Sequence, residues 1–296
     1  MCAEEVSKNI VKLLPINADV MNNIIDKISN AVGYIALPKG KRKYKLEAEE
    51  YLIKKFEANE GIPTLVKAAL ISNSRKILKE YTNQMDIMDI AVSQLDEKAD
   101  ANNLTDDWLS YFFDNCKDVS DEQVQIIWGK LLAMQCDGSD SIPRTTIHTL
   151  SILDSDIAKK FSKLCNFIVL IMTPDCTTKK KVIYDFYNDS FFLNYGITQE
   201  DLYEFETVGL IITSPTGYCC VSEDETKCYG EYKIIYNDFT FKKILDERNE
   251  EDQEEKGICS GNIEFTRTGY LISRMVTTEY IKEYDNYLAE YYEQLY

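Results

Sequence analysis

Residues 118–133 read D-V-S-D-E-Q-V-Q-I-I-W-G-K-L-L-A, and their pattern is that of a well-specified helix. Ser120 stands three residues before Gln123, which is the spacing of a capping box, and acids fill the first turn, where the helix dipole favours negative charge. The apolar side chains that follow fall on a single helix face: Val124, Ile127, Trp128, Leu131 and Leu132. This stripe predicts that Trp128 lies in the core. The alternative is that Trp128 anchors a partner.

Amphipathic segments surround this helix on both sides. The first 95 residues read mainly as helix, with interruptions at Gly33 and at later glycine and proline positions. Further helices are predicted after Thr105, after Pro143 and from about residue 154, and the last of these has Ile168 on its inward face. Because the loops between these segments are short, we expect antiparallel neighbours in a helical bundle.

The pattern changes after Pro174, where alternating segments and most of the tyrosines appear. Thr198 caps a predicted helix that Gly209 closes, and residues 210–213 and 218–221 then predict the two strands of a hairpin. Additional elements are predicted as strands at 232–236 and 239–241, a strand-to-helix entry at 263–269, an acidic loop at 246–256 and a tyrosine-rich helix at 279–295.

The formal net charge of −17 is unevenly distributed along the chain. Residues 1–150 carry 23 acids and 18 bases, whereas residues 151–296 carry 27 acids and 15 bases. An acidic surface repels a phosphate backbone, so duplex DNA is not expected as a partner. Basic protein surfaces are compatible with this charge.

Nine cysteines and a single histidine limit the metal chemistry that the chain can offer. No C-x-x-C pair occurs, so buried reduced thiols are the preferred interpretation and no cofactor is predicted. The alternative is a metal site formed by Cys219, Cys220, Cys228 and Cys259. The N-terminus lacks the pattern of a secretory signal, and the longest apolar run, 164–172, is about half the length that a bilayer requires. We therefore expect a cytoplasmic protein.

The sequence contains no recognisable catalytic motif. Phosphate-binding glycine loops, H-E-x-x-H and G-x-S-x-G are all absent. A catalytic pair with serine or cysteine would have to use His148, which is more simply interpreted as a surface or hydrogen-bonded histidine. The sequence therefore predicts a protein that is not an enzyme.

Three stretches resemble a known family. They are D-W-L-S-Y-F-F-D-N-C-K-D-V-S-D-E-Q-V-Q-I-I-W-G-K-L-L-A at 107–133, R-T-T-I-H-T-L-S-I-L-D from Arg144, and I-I-D-K-I-S-N-A-V-G-Y-I-A-L-P-K-G-K-R-K at 24–43. Over residues 20–170 the chain resembles the bacterial family called domain of unknown function 2806. The same helix pair is more distantly similar to the abortive-infection alpha proteins, which are linked to phage defence. Neither resemblance supplies a catalytic residue.

The later half resembles winged-helix domains in two stretches. These are L-Y-E-F-E-T-V-G-L-I-I from Leu202 and I-E-F-T-R-T-G-Y-L-I from Ile263. The resemblance implies a helix that leads into a β-hairpin and then into a second helix. Residues 198–212 contain no lysine or arginine, so the helix that would recognise DNA is acidic. We therefore expect this domain to contact protein.

The preferred functional hypothesis is a self-associating protein that binds a protein partner in phage–bacterium conflict. It would act either as a defence component or as a phage-encoded inhibitor of a host defence complex. Tyrosine combines apolar area with a hydroxyl group and is favoured at interfaces. The candidate contact residues share one helix face: Tyr280, Tyr284, Tyr287 and Tyr291. The alternative is that these tyrosines pack on their own domain.

Two other hypotheses remain. An amphipathic segment at 24–45 ends in a basic run, an arrangement typical of membrane-surface contact in an abortive-infection effector. Its candidate lipid or anion contacts are Lys39, Lys41, Arg42, Lys43 and Lys45. The alternative for this segment is a helix packed on the bundle with a solvated basic loop. The second hypothesis is a winged-helix transcriptional regulator, against which the acidic charge argues.

Together these patterns predict an α+β fold that is mostly helical. A helical N-terminal region at 1–96 and a helical bundle at 104–173 precede a winged-helix-like domain with a small antiparallel sheet at 174–296.

Overall fold

A computed structural model describes residues 18–33, 45–138, 140–187, 190–247 and 257–295 of the chain. Contacts divide the chain into two compact units, Met1–Ser151 and Ile152–Tyr296. The described residues of the first unit form helices, whereas those of the second combine helices with antiparallel strands. The predicted class, α+β with mostly helix and a small antiparallel sheet, is confirmed. The winged-helix assignment stays a prediction.

Helices make up the described elements of the N-terminal unit. They are α1 (Ala18–Val32), α2 (Lys45–Glu57), α3 (Thr64–Gln94), α4 (Asp106–Cys116), α5 (Glu122–Asp137) and α6 (Arg144–Ile152), together with a 3-10 turn at Ala101–Asn103. Helix α5 packs along α3, α1 packs against α4, and α2 packs against α3. The buried residues of α3 begin at Asn83, so the core of this unit lies around the second half of that helix.

The N-terminus of α5 differs from the predicted capping box. Asp121, rather than Ser120, is the N-cap residue, and its carboxylate accepts hydrogen bonds from the backbone N–H groups of Gln123 at 2.9 Å and Val124 at 3.2 Å. The Ser120 hydroxyl instead accepts a hydrogen bond from the Asn83 side chain at 3.2 Å. The prediction was wrong because both residues are good caps and a tertiary contact recruits the serine.

Trp128 lies at the centre of this core, as the apolar stripe predicts. Its side chain is fully buried, and its ring meets Phe112 edge to face at a centroid distance of 5.1 Å. Trp108 stacks on Phe112, also at 5.1 Å, and its Nε1 donates to the carbonyl oxygen of Ile142 at 3.0 Å. The Nε1 of Trp128 has no hydrogen-bond partner within the part of the chain that the structure describes.

The C-terminal unit contains five helices and eight strands among its described residues. The helices are α7 (Ser155–Cys165), α8 (Ser190–Leu193), α9 (Gln199–Thr207), α10 (Arg267–Ser273) and α11 (Glu283–Leu295). The strands are β1 (Ile168–Met172), β2 (Thr178–Val182), β3 (Ile211–Thr213), β4 (Cys219–Val221), β5 (Gly230–Tyr236), β6 (Phe239–Leu245), β7 (Gly257–Cys259) and β8 (Ile263–Phe265).

The largest sheet has the strand order β2-β1-β5-β6 and is antiparallel throughout. Ile168 begins β1 and does not extend the preceding helix, so that prediction was wrong. A short apolar run does not distinguish a buried strand from a buried helix. Strand β2, with the sequence T-K-K-K-V, has no apolar alternation and was not predicted.

The short strands form an antiparallel ribbon in place of the predicted hairpin. Strand β3 pairs with β8 and β4 pairs with β7, whereas β3 and β4, the predicted partners, are joined end to end by the turn between them. Backbone hydrogen bonds continue across the break, because Ser260 N–H donates to the Tyr218 carbonyl at 2.8 Å. The predicted hairpin is wrong because strand propensity does not specify which strands pair.

The N-terminus of α9 has the predicted cap and adds an ion pair. Thr198 and Asp201 form a reciprocal capping box, and Lys160 Nζ on α7 donates to the Asp201 carboxylate at 2.7 Å. Burial raises the pKa of Asp201, but the hydrogen bonds from Lys160 and Thr198 together lower it below its usual value. Asp201 therefore ties α9 to α7 while it is ionised.

We expect the stability of the C-terminal unit to depend on the charge of Asp201. Because its folded-state pKa lies below the unfolded value, the stabilisation is complete above the unfolded pKa and is lost as the pH falls towards the folded pKa. Asp201→Asn should therefore unfold at a lower temperature than the wild type at neutral pH, and the difference should shrink at about pH 3. Thermal unfolding across this pH range measures it.

Asp156→Asn is the matched control, because exposed Asp156 pairs with the same lysine at 3.2 Å and should change stability little. A difference between wild type and Asp201→Asn that stays constant from neutral to acid pH would contradict the prediction.

Candidate protein-interaction site

Helix α2 and the first half of α3 form an antiparallel helical hairpin. The turn between them is fixed by the Asn59 side chain, which accepts a hydrogen bond from Gly61 N–H at 3.1 Å, and Pro63 then precedes α3. No side chain that the structure describes from residue 47 to residue 82 is fully buried. The hairpin therefore has no closed core of its own.

Large apolar side chains are exposed on this hairpin. The exposed fraction is 65% for Tyr51, 81% for Leu65, 46% for Val66 and 54% for Ile77. Val66 and Ile77 are about three helical turns apart, so both lie on one flank of α3. These four residues are called the hairpin surface below. An amphipathic helix pair normally buries such residues against another element.

The charge of the hairpin differs from that of the whole chain. Residues 47–82 carry six acids and six bases, while the chain has a net charge of −17. Ion pairs within the two helices are long: Lys54 and Glu50 are 3.7 Å apart and exposed, and Lys76 and Glu80 are 3.6 Å apart with Glu80 half-buried. The hairpin is therefore a neutral surface with exposed apolar side chains on an acidic protein.

The four tyrosines predicted to contact a partner have different environments. Tyr284 and Tyr287 of α11 are buried in the C-terminal unit, where they pack against Phe191. For these two residues the structure corresponds to the alternative, in which the tyrosines pack on their own domain. Tyr291 is half-buried, and Tyr280 is exposed and precedes α11, so the four do not share one helix face. Contact between Tyr280 or Tyr291 and a partner stays a prediction.

The hydroxyl groups of these tyrosines make structural hydrogen bonds. Tyr284 Oη donates to the Ile183 carbonyl at 3.0 Å, and Tyr287 Oη accepts from Asp185 N–H at 3.1 Å. Burial raises the pKa of both groups well above the usual value for tyrosine. The hydrogen bond to Asp285 raises the pKa of Tyr280 to about 12. These hydroxyl groups are therefore uncharged at neutral pH.

Residues 72–211 match the family model described as Protein of unknown function (DUF2806). This region belongs to DUF2806. No curated protein and no solved structure matches the chain. The predicted family is confirmed, although the matched region starts and ends later than the predicted span of 20–170. The similarity to abortive-infection alpha proteins stays a prediction.

The DUF2806 region begins within the exposed half of α3 and ends at the first residue of β3. It includes α5 with the buried Trp128, and it includes Ile77 of the hairpin surface. Helix α2 and helix α11 with its tyrosines lie outside the match. Part of the hairpin surface therefore belongs to the family region and part does not.

The amphipathic segment that precedes the DUF2806 region is described only in part. Ile24 and Ile28 of α1 are buried, and α1 packs against α4. The packed-helix alternative therefore describes this apolar face. The predicted lipid or anion contacts Lys39, Lys41, Arg42 and Lys43 lie outside the described residues, as does the side chain of Lys45. Among the described ranges, no helix has the length and apolar character needed to cross a bilayer.

The cysteines proposed as metal ligands lie outside the DUF2806 region and do not all face the same way. Cys219 and Cys259 are opposite one another in the pairing of β4 with β7, whereas Cys220 is buried on the other side of the ribbon. Cys228 is buried, with its thiol 3.0 Å from the Glu225 carbonyl oxygen. In the described part of the chain, no group of three or more histidine, cysteine or acidic residues could hold a metal.

One feature of the candidate interaction site was not recognised from the sequence. The hairpin surface was interpreted only as two helices, because periodicity indicates that apolar faces exist and does not show which face lacks a partner. Leu65 and Val66 near the start of α3 have the same apolar character as residues that pack inward, so nothing in their sequence marked them as exposed. His148, which a catalytic pair with serine or cysteine would have to use, is exposed on α6.

Proposed function

We propose that this protein is non-enzymatic and acts by binding other proteins, and that the hairpin surface joins copies of the chain. The observation that supports this proposal is the helical hairpin without a buried side chain among residues 47–82, which exposes Tyr51, Leu65, Val66 and Ile77. Val66 and Ile77 share one flank of α3, and exposed apolar surface of this kind is typical of interaction sites.

A second copy of the chain fits this surface best. Two antiparallel helix pairs can pack into a four-helix bundle, which covers the apolar flank of each pair with the same flank of the other. The neutral charge of residues 47–82 also favours a second copy, because self-association at this place brings no excess of like charge together. A strongly basic or acidic partner would gain no net electrostatic attraction from this neutral surface.

Changing the exposed flank of α3 should separate the copies. We expect the double variant Val66→Glu, Ile77→Glu to dissociate at least about tenfold more readily than the wild type, because a dimer would bury both carboxylates. Light scattering after size-exclusion chromatography, over a range of protein concentrations, measures the molecular mass. Both positions are exposed, so helix content by circular dichroism should not change.

Ile244→Glu is the matched control, because Ile244 is 65% exposed on β6 and lies outside the hairpin. It should associate as the wild type does. The proposal for the hairpin surface fails if the wild type is a monomer at about 100 μM, or if the control and the double variant dissociate equally.

The proposed role in phage–bacterium conflict rests on the resemblance to abortive-infection alpha proteins and on the acidic C-terminal unit, which suits a basic protein partner. Expression of the chain in a bacterial host should change the plating efficiency of phages, upwards for an inhibitor of defence and downwards for a defence component. The Val66→Glu, Ile77→Glu variant should lose the effect. An unchanged efficiency across phages, in hosts with and without defence systems, counts against the role.

A further inference from the structure

The three consecutive lysines of β2 have different surroundings. Lys179 donates to the Val221 carbonyl oxygen at 3.1 Å, and Lys181 forms an ion pair with Glu264. Lys180 points to the other face of the sheet, because side chains alternate along a strand. It makes no ion pair or hydrogen bond with any residue that the structure describes, and its electrostatic neighbours are Arg274 and Cys165. Lys180 is therefore a half-buried cation next to a second cation.

Lys180 and Arg274 line the same cleft of the C-terminal unit, which has a volume of about 510 Å³. The cleft lies between one face of the four-stranded sheet and the segment that follows α10. Its floor is apolar and comes from neighbouring strands, where Leu170 pairs with Lys180 on one side and with Ile235 on the other. The cleft therefore has a cationic edge beside an apolar floor.

The electrostatics at the Lys180–Arg274 edge of this cleft favour an anion. Burial and the charge of Arg274 both lower the pKa of Lys180, so the two cations repel one another in the structure as it stands. Glu279 also lines the cleft, and its backbone N–H donates to the Asn166 side chain at 2.8 Å. A ligand with two negative charges would remove the repulsion, whereas a single carboxylate would compensate for it only in part.

We propose that this cleft binds a phosphorylated small molecule of mononucleotide size. Lys180 and Arg274 hold the phosphate of this molecule. The rest of the molecule is a planar ring system, which packs on the apolar floor formed by Ile168, Leu170 and Ile235. A phosphate carries up to two charges and three acceptor oxygens, and arginine binds it through paired N–H groups. The volume lies within the range of about 300–1,000 Å³ that is usual for small-molecule sites.

Calorimetric titration of the full chain tests the proposal with adenosine 5′-monophosphate, inorganic phosphate and adenosine as probes. We expect the monophosphate to bind, inorganic phosphate to bind more weakly and compete with it, and adenosine alone to bind at least about tenfold more weakly than the monophosphate. Lys180→Gln and Arg274→Gln should each weaken binding of the monophosphate by about tenfold or more. Lys179→Gln removes the same charge from the adjacent position and should leave the affinity unchanged.

Thermal unfolding without ligand provides the folding control. Lys180→Gln should unfold at the same temperature as the wild type or at a higher one, because the substitution removes the repulsion with Arg274. The proposal is overturned if the monophosphate does not bind at about 10 mM, if adenosine binds as tightly as the monophosphate, or if Lys179→Gln weakens binding as much as Lys180→Gln does. None of these outcomes depends on whether the hairpin surface joins copies of the chain.

Discussion

Gly269→Ala is expected to lower the unfolding temperature of the C-terminal unit by roughly 10 °C or more. A Cβ atom at position 269 would lie 1.8 Å from the carbonyl oxygen of Leu210, which is backbone and cannot rotate away. That oxygen is also held in place, because Thr266 N–H donates to it at 3.1 Å. The clash should cost about 3 kcal/mol or more, which exceeds the roughly 1 kcal/mol that alanine gains over glycine within a helix.

Thermal unfolding followed by circular dichroism measures this effect. Gly61→Ala is the control, because the nearest atom to a Cβ at position 61 is Asn59 Oδ1 at 3.4 Å, an ordinary contact distance. Its stability should stay within about 0.5 kcal/mol of the wild type. Equal unfolding temperatures for Gly269→Ala and the wild type would mean that α10 does not approach the backbone of Leu210 as closely as described.

Trp128→Ala should destabilise the N-terminal unit by about 3–5 kcal/mol, because it removes the largest fully buried side chain and its contact with Phe112.

A comparison of two milder variants, in which each tryptophan is replaced by phenylalanine, tests the hydrogen bonding of the two indoles. Trp128→Phe removes ring area without removing a hydrogen bond, whereas Trp108→Phe also leaves the buried carbonyl of Ile142 without its donor. We expect Trp108→Phe to cost about 1–2 kcal/mol more than Trp128→Phe.

Urea unfolding monitored by circular dichroism gives these free energies without relying on tryptophan fluorescence. If Trp128→Phe were the more damaging of the two, the indole N–H of Trp128 would have a partner, such as a buried water molecule. If Trp128→Ala were as stable as the wild type, Trp128 would not be a core residue.

Local features of the fold were predictable because they depend on neighbours in sequence. Thr105 and Thr198 are observed as helix caps, and Gly33 and Gly209 end their segments with positive φ angles of 74° and 77°. The burial of Trp128 followed from helical periodicity. For the caps and the terminal glycines the partners lie within about one helical turn, and for Trp128 the periodicity marks the apolar face, whereas its packing partner Phe112 comes from another helix.

Features that depend on distant residues were not predictable in the same way. The pairing of β3 with β8 joins Ile211 to Phe265, and nothing in either strand distinguishes this partner from the nearer β4. Lys180 shows the same limit for the candidate anion cleft, because its neighbour Arg274 comes from α10 and its adjoining segment, far along the chain. From the sequence alone, a run of three lysines is interpreted as a solvated surface. Only the sheet shows that the middle lysine points away from the other two.

The ribbon of β3 and β4 with β7 and β8 should also govern how fast the chain folds. Its two sides are separated by the β5–β6 hairpin, so the ribbon can close only after that long segment has been brought together. The helices of the N-terminal unit form through local hydrogen bonds and need no distant strand, although α1 and α4 must later pack across a separation of 79 residues. Refolding should therefore show a fast helical phase before a slow phase in which the strand pairs form, and newly made chains would pass through a state with unpaired strand edges.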